Sequence, residues 1–204
     1  RSLIVKKAEN KIEVLKELLK QDSSIFKNSV VYCGAGKSHN SEEMTVLQEV
    51  TKTLNSYGKL RVSDYTSKTE NRKLVLEYFE NNFFDTLVAI KCFDQGVDVP
   101  KLERIHLLAS DSSMKQTIQR RGRVLRKCKK IAYIYDYVAL PPSHLPYEST
   151  MSTLLKNELF RVEEYLRLAN NIDEIIPTIE SWKKKFPIIE DEEVYLYDWK
   201  EYYR

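Results

Sequence analysis

The side chains best equipped for chemistry lie in one run: Gln116, Thr117, Ile118, Gln119, Arg120, Arg121, Gly122, Arg123, Val124, Leu125 and Arg126. Arg123 and Arg126 are three apart, so on a helix they share a face. Planar guanidinium forks grip phosphate oxygens in pairs, which a lysine ammonium cannot do. Met114, Ile118 and Leu125 recur at helical spacing and would seat the run on a core, with the arginines aimed outward. The opposing reading is a solvated basic helix. A second run lies upstream, from Leu87 to Pro100. It opens as a short apolar strand and breaks into a loop at Asp94, Gly96, Asp98 and Pro100. Gly96 lets the backbone approach a ligand closely. A strand and loop followed by an arginine-rich helix outline a nucleotide-binding edge.

These two runs resemble motifs V and VI of superfamily 2 helicases. The matching residues are Gly96, Val97, Asp98, Val99 and Pro100, then Gln116, Gln119, Arg120, Arg121, Gly122, Arg123 and Arg126. The Gln-Arg-Arg-Gly-Arg form is more similar to the XPB-like and restriction-type DNA translocases than to DEAD-box RNA helicases, which carry His-Arg-x-Gly-Arg. The resemblance covers roughly residues 28–138 and implies the C-terminal RecA-like domain of such a motor. It implies that Arg123 and Arg126 act as arginine fingers on the transferring phosphoryl group. Gln119 would couple the γ-phosphate to the interdomain contact, Asp98 would accept from the ribose, and Gly96 would shape that loop. One of Arg120 and Arg121 would pair with an acidic group inside the domain. ATP and Mg2+ would be held mainly by a first, N-terminal RecA-like domain of the same protein. The partner would be nucleic acid, on the form of motif VI DNA, and this stretch alone would not hydrolyse ATP. Two positions depart from the pattern. Ile90 stands where many relatives place a hydroxyl against a nucleic-acid phosphate, and Gln95 where Glu or Arg is common.

Gly34, Ala35, Gly36, Lys37 and Ser38 invite a P-loop reading, because Gly-Lys-Ser follows a strand-like run. That pattern needs a glycine five places before Gly36, where Val31 stands, so the loop is too short to wrap a triphosphate. The resemblance places it at helicase motif IV. Backbone at Gly34 and the ammonium of Lys37, with Lys91 further on, would then touch the nucleic-acid backbone. The competing description is a turn with a solvated lysine. Asp191, Glu192 and Glu193 lack a hydrophobic lead-in strand and read as a solvated acidic run.

The elements that must position these residues are legible in the periodicity. Strands are expected at 29–33, 60–64, 86–91, 104–109 and 131–138. Helices are expected at 8–20, on a stripe of Ile12, Leu15, Leu18 and Leu19, and after two capping-box patterns. The first pattern is at 40–43, before Met44, Leu47, Val50 and Leu54. The second is at 67–70, before Leu74, Tyr78 and Phe79. Alternating strands and helices imply an α/β, RecA-like parallel sheet with a C-terminal helical appendage. Ligands of such sheets sit outside the carboxyl ends of the strands. The domain organisation expected is a RecA-like domain at 1–140, a Pro-rich linker at 141–148 and a helical extension at 149–204. Leu154, Leu155, Leu159, Val162 and Leu166 stripe the extension's first helix, and Pro177 interrupts the next.

Composition sets bounds. The 204 residues carry 42% hydrophobic and 31% charged side chains with a net charge of +3, ordinary for a globular chain, so a nucleic-acid surface must be local. No apolar run suits a bilayer. Cys33, Cys92 and Cys128 show no metal-ligand spacing and fit a reducing, cytoplasmic setting. His39, His106 and His144 show no triad or metal spacing and read as structural or surface residues. The start at Arg1 rather than Met suggests a piece of a longer chain. The alternative function is a RecA-like nucleic-acid-binding module without catalysis.

Overall fold

The computed structural model describes residues 9–38, 44–90, 99, 101–109, 131–142, 149–167 and 169–186. Of the residues singled out above, Lys91, Gly96, Asp98, Gln119, Arg120, Arg121, Gly122, Arg123 and Arg126 lie outside the described residues. So do Cys92, Cys128, His39 and His144, residues 40–43 and the tail beyond 186. The chain divides into two compact units, residues 1–139 and 140–204.

The first unit opens with helix α1 (Glu9–Gln21), a 3-10 turn (Ser23–Phe26) and strand β1 (Ser29–Tyr32). Helix α2 (Val46–Gly58), β2 (Val62–Tyr65), α3 (Arg72–Glu80), β3 (Thr86–Ala89), β4 (Arg104–Leu107) and β5 (Tyr133–Asp136) follow. The strands form one sheet in the order β2-β3-β1-β4-β5, and every pairing is parallel. Both faces of the central strands are covered, so β1 and β3 are buried at every position, as continuous apolar runs in parallel sheets require. On one face, Val31 and Val88 pack with Ile12, Leu15 and Leu19 of α1 and with Val46, Leu47, Val50 and Leu54 of α2. These are the apolar stripes read from the sequence.

Three local expectations differ. Helix α2 is capped by Thr45, whose side chain accepts from the Gln48 backbone while the Gln48 side chain accepts from the Thr45 backbone. Thr-x-x-Gln is as good a capping box as the pattern at 40–43, and here it is the one used. The pattern at 67–70 is not a cap at all. Thr69 is drawn into a tight turn, donating to the Asp64 carbonyl at 3.2 Å and accepting from the Thr66 amide at 2.8 Å. Helix α3 therefore starts at Arg72 behind Asn71, which has φ 47° and no side-chain cap. Only Phe79 of the expected trio is buried; Leu74 and Tyr78 are 36% and 40% exposed.

The second unit holds helix α4 (Ser149–Leu166) and helix α5 (Ile172–Lys185). Leu155, Leu159, Val162 and Leu166 of α4 are buried. Pro177 lies inside α5 without interrupting it. A proline there forfeits the bond to the carbonyl four residues earlier, that of Asp173. Asp173 and Pro177 are both exposed, so water can satisfy that carbonyl.

A candidate nucleic-acid and nucleotide edge

In a parallel sheet all strand-to-helix loops leave from one edge. The connection from β1 runs toward β3 and β2, whereas that from β4 runs the opposite way to β5, so the topology reverses between β1 and β4. Ligands of open α/β sheets bind in the crevice at such a reversal. The loop with Gly34 and Lys37 leaves β1 on one side of this crevice, and Leu108 and Ala109 follow β4 on the other.

The β1 side is tightly built. The Cys33 amide donates to the Ala89 carbonyl at 3.0 Å, extending the ladder to the mouth of the loop. Burial pushes the Cys33 thiol up to about 12, so it is an inert filler. Gly34 is buried, while Ala35, Gly36 and Lys37 are exposed. Gly36 has φ 127°, a conformation that L side chains rarely adopt. Its carbonyl accepts from the Val46 amide at 3.0 Å, Lys37 bridges Thr45, and the Ser38 amide donates to the Met44 carbonyl at 2.7 Å. The Ser38 hydroxyl donates to the Glu49 carboxylate at 2.5 Å. Lys37 thus sits on a pinned turn beside the start of α2, without opening that helix as a P-loop lysine would. The loop is a backbone platform with one exposed cation, Lys37.

On the β2 side, Thr66 and Thr69 close the turn described above, and the Arg72 guanidinium donates to the Ser67 carbonyl at 3.0 Å. Ser67 and Lys68 are exposed. The Thr51 hydroxyl donates to the Asp64 carboxylate at 2.7 Å, tying α2 to β2. After β3, Ile90 is half-buried and packs against the core, consistent with its apolar type.

On the β4 side, the Leu108 and Ala109 amides both donate to the Tyr32 carbonyl, at 3.0 and 3.1 Å. The Lys11 ammonium, 4% exposed, donates to the Leu108 carbonyl at 3.0 Å. Sequence reasoning missed Lys11. The signal was available: it precedes Leu15 by four and falls on the apolar stripe of α1, where a lysine must find partners. His106 is a core residue. Its ring stacks on Phe26 at 4.1 Å and on Tyr135 at 4.4 Å. Its Nε2 lies 3.1 Å from the Ile25 carbonyl and its Nδ1 3.1 Å from the Tyr137 hydroxyl. A carbonyl can only accept, so Nε2 carries the proton and Nδ1 accepts from Tyr137. Burial holds the imidazole down from 6.5 to about 3.

The geometry is that of a RecA-like α/β domain, a five-stranded parallel sheet whose order reverses between β1 and β4. Residues 10–128 match the family described as the Helicase conserved C-terminal domain, and the chain belongs to it. A curated relative, the DNA 3'-5' translocase XPB2 of Sulfurisphaera tokodaii, is 27% identical over 131 residues, 64% of this chain and 27% of the relative. The chain therefore spans about a quarter of that relative's length. The yeast DEAD-box splicing factor Prp28 superposes with a TM-score of 0.61 at 14% identity, over 91% of this chain and 36% of that one. The C-terminal domain of the DEAD-box protein Dbp5 gives 0.53 at 16% identity, over 91% and 83%. At these identities the two structures speak to the fold. Among the described residues no helix is long and apolar enough to cross a membrane.

Proposed function

We propose that this chain is the second motor domain of an ATP-dependent DNA helicase or translocase. The observation that carries the reading is the match of residues 10–128 to a helicase C-terminal domain, on a parallel sheet whose topology reverses between β1 and β4. The similarity to a protein named a DNA translocase favours DNA. ATP would lie in the cleft with the other RecA-like domain. Arg123 and Arg126 would neutralise charge developing on the transferring phosphoryl group. Asp98 would accept from the ribose, Gly96 would let the loop approach, and Gln119 would sense the γ-phosphate. Among the described residues no His, Cys, Asp or Glu group is placed to hold a metal ion. By the helicase resemblance, Mg2+ would be held mainly by the other domain, where it would supply phosphate neutralisation. Gly34, Lys37 and Lys91 would grip the strand's backbone without reading bases. Closure and reopening of the cleft would then move the two grips along the strand.

The test uses the whole protein carrying both domains. Arg123→Ala and Arg126→Ala should each lower the ATP turnover number by a factor on the order of 10³ or more, with DNA saturating. Arg123→Lys should recover little, because a point charge lacks the planar fork. Near-normal turnover in both alanine variants would sink the finger assignment and leave the binding-module alternative.

A further inference from the structure

Helix α5 carries opposite charges at its two ends, Asp173 and Glu174 in the first turn and Lys183, Lys184 and Lys185 in the last. One side of the helix is already used. Ile179 and Phe186 are buried, and the Lys183 ammonium lies 2.7 Å from the Glu163 carboxylate of α4. Further round the helix runs a second stripe. Glu174, Thr178, Ser181 and Lys185 recur at steps of four, three and four, so they line up along the axis, and all four are exposed. Ile175 and Trp182, seven apart, run beside them and are only half-buried. Among the described residues neither Glu174 nor Lys185 has an oppositely charged partner. The Lys185 ammonium lies 5.3 Å from the Phe186 ring centroid, a contact that does not cancel its charge. The stripe also has an internal symmetry: Glu174 and Lys185 are equally far from the midpoint between Thr178 and Ser181. Turned end over end, it offers a base to each acid, a small hydroxyl side chain to its like, and an isoleucine to each tryptophan.

We propose that this stripe docks α5 of a second copy of the chain, antiparallel, across a two-fold axis passing between Thr178 and Ser181. A two-fold interface must be complementary to itself, and the stripe meets that condition. Glu174 of each copy pairs with Lys185 of the other, which places one ion pair at each end of a seam about 16 Å long. The small side chains of Thr178 and Ser181 let the helices approach at the centre. Trp182 packs on Ile175 of the second copy, the kind of aromatic anchor on which interfaces concentrate their energy. The opposite flank of α5 is unsuited to the same pairing. It bears Asp173 and Lys184 but also Glu180 between them, and an antiparallel pair there would bring two Glu180 carboxylates together. A contact one helix long is small, so the pairing is weak and concentration-dependent. The simpler alternative is that the end charges only complement the helix dipole, which needs no second copy. The pairing stands apart from the nucleic-acid reading and does not require it.

Sedimentation equilibrium of the full chain, from about 10 μM to about 1 mM, reads the association. The parent should pass from monomer toward dimer across that range. Its association should weaken as salt rises from about 50 mM to about 500 mM, because the end pairs are exposed to solvent. E174K sets cation against cation at both ends of the seam, and K185E sets carboxylate against carboxylate. Each should weaken dimerisation about tenfold or more, while far-ultraviolet circular dichroism stays that of the parent. An equimolar mixture of the two variants should dimerise to within about threefold of the parent, since each end of the mixed pair regains an acid and a base. The doubly substituted chain, E174K with K185E, should recover in the same way, although its end charges now oppose the helix dipole. A dipole role alone gives neither recovery. A parent that stays monomeric at about 1 mM, association indifferent to salt, single variants that associate like the parent, or a mixture no better than its components each overturns the proposal.

Discussion

The two ends of the sheet share braced cations, since Lys11 and Arg72 hold the Leu108 and Ser67 carbonyls at the carboxyl end, but they differ in the cations left over. At the amino end the turn before β1 gathers the strands. The hydroxyls of Ser29 and Thr86 both donate to the Phe26 carbonyl, at 2.6 and 2.5 Å. The Arg104 guanidinium donates to the Lys27 carbonyl at 3.1 Å and pairs with Glu103. Arg61 forks onto Asp85 at 3.0 and 2.9 Å, and Lys101 donates to the Glu80 carbonyl and to the Asn82 side chain at the end of α3. Cations here answer the protein's own carbonyls and carboxylates. At the carboxyl end, Lys37 and Lys68 are exposed, and neither has a carboxylate partner among the described residues. A satisfied cation is a brace, and an unsatisfied one on a pinned turn is available to a polyanion.

The largest effect should come from the most enclosed brace. His106 joins the 3-10 turn to β4 and β5 through two stacked rings and two hydrogen bonds. His106→Ala should cost about 2–4 kcal/mol, since it leaves a cavity and strips a partner from both Tyr137 and Ile25. The pH dependence carries a sign. The unfolded chain takes up a proton near 6.5 that the folded imidazole refuses until about 3. This contribution is therefore complete above 6.5 and is lost as pH falls toward 3, by at most about 1.4 kcal/mol per pH unit. Urea titrations across that window should show a shallower slope for His106→Phe than for the parent. Equal slopes would mean that the imidazole is not buried neutral.

A charge reversal at each end tests the comparison directly in the whole protein. Lys37→Glu should weaken nucleic-acid binding about tenfold and reduce the salt slope by about 1 to 2, with little change in melting temperature. Arg61→Glu should do the opposite, because it sets a carboxylate against Asp85, which Arg61 now holds below the usual carboxylate range. Its cost should appear as lost stability with affinity intact. If Arg61→Glu weakens binding as much as Lys37→Glu, the two ends do not divide the work as described.

Much of this fold was legible because each buried strand announces itself as a short apolar run, and the stripes of α1 and α2 follow the helical period. Strand β2 was placed two residues early. Leu60 is buried as the residue after the left-handed Lys59 that ends α2, and Tyr65 is the buried end of the strand. The hydrophobicity was read correctly and assigned to the wrong element. Helix starts were less legible, because local patterns at 40–43, Thr45 and 67–70 compete on equal terms until tertiary contacts choose. The lock around His106 joins residues 25, 26, 106, 135 and 137, and no local pattern carries contacts of that separation. Of the candidate site, motif spacing singled out the residues from 91 to 126, and the structure places Gly34 and Lys37 at the switch-point edge. Lys11 was passed over because its partner, the Leu108 carbonyl, is 97 residues away in the chain.

The smallest effect tests whether the carboxyl-end platform is held from beneath. Thr45 accepts from the Gln48 amide at 3.2 Å, and the Gln48 side chain accepts from the Thr45 amide at 2.9 Å. The next residue, Val46, donates to Gly36, and Thr45 itself bridges Lys37. One capping residue therefore starts the helix and closes the turn that carries the exposed lysine. Thr45→Ala removes the side-chain acceptor but keeps the backbone bridge, so it should cost about 1 kcal/mol. For a domain of this size that is a fall of roughly 2–4 °C in melting temperature. Thr45→Ser keeps the acceptor and should restore most of it. Because the loosened turn bears Lys37, Thr45→Ala should also weaken nucleic-acid binding slightly, and that loss should disappear when Lys37 is already Glu. A Thr45→Ala protein with full stability and full affinity would show that the platform stands without its cap, and that its order comes from the β1 side alone.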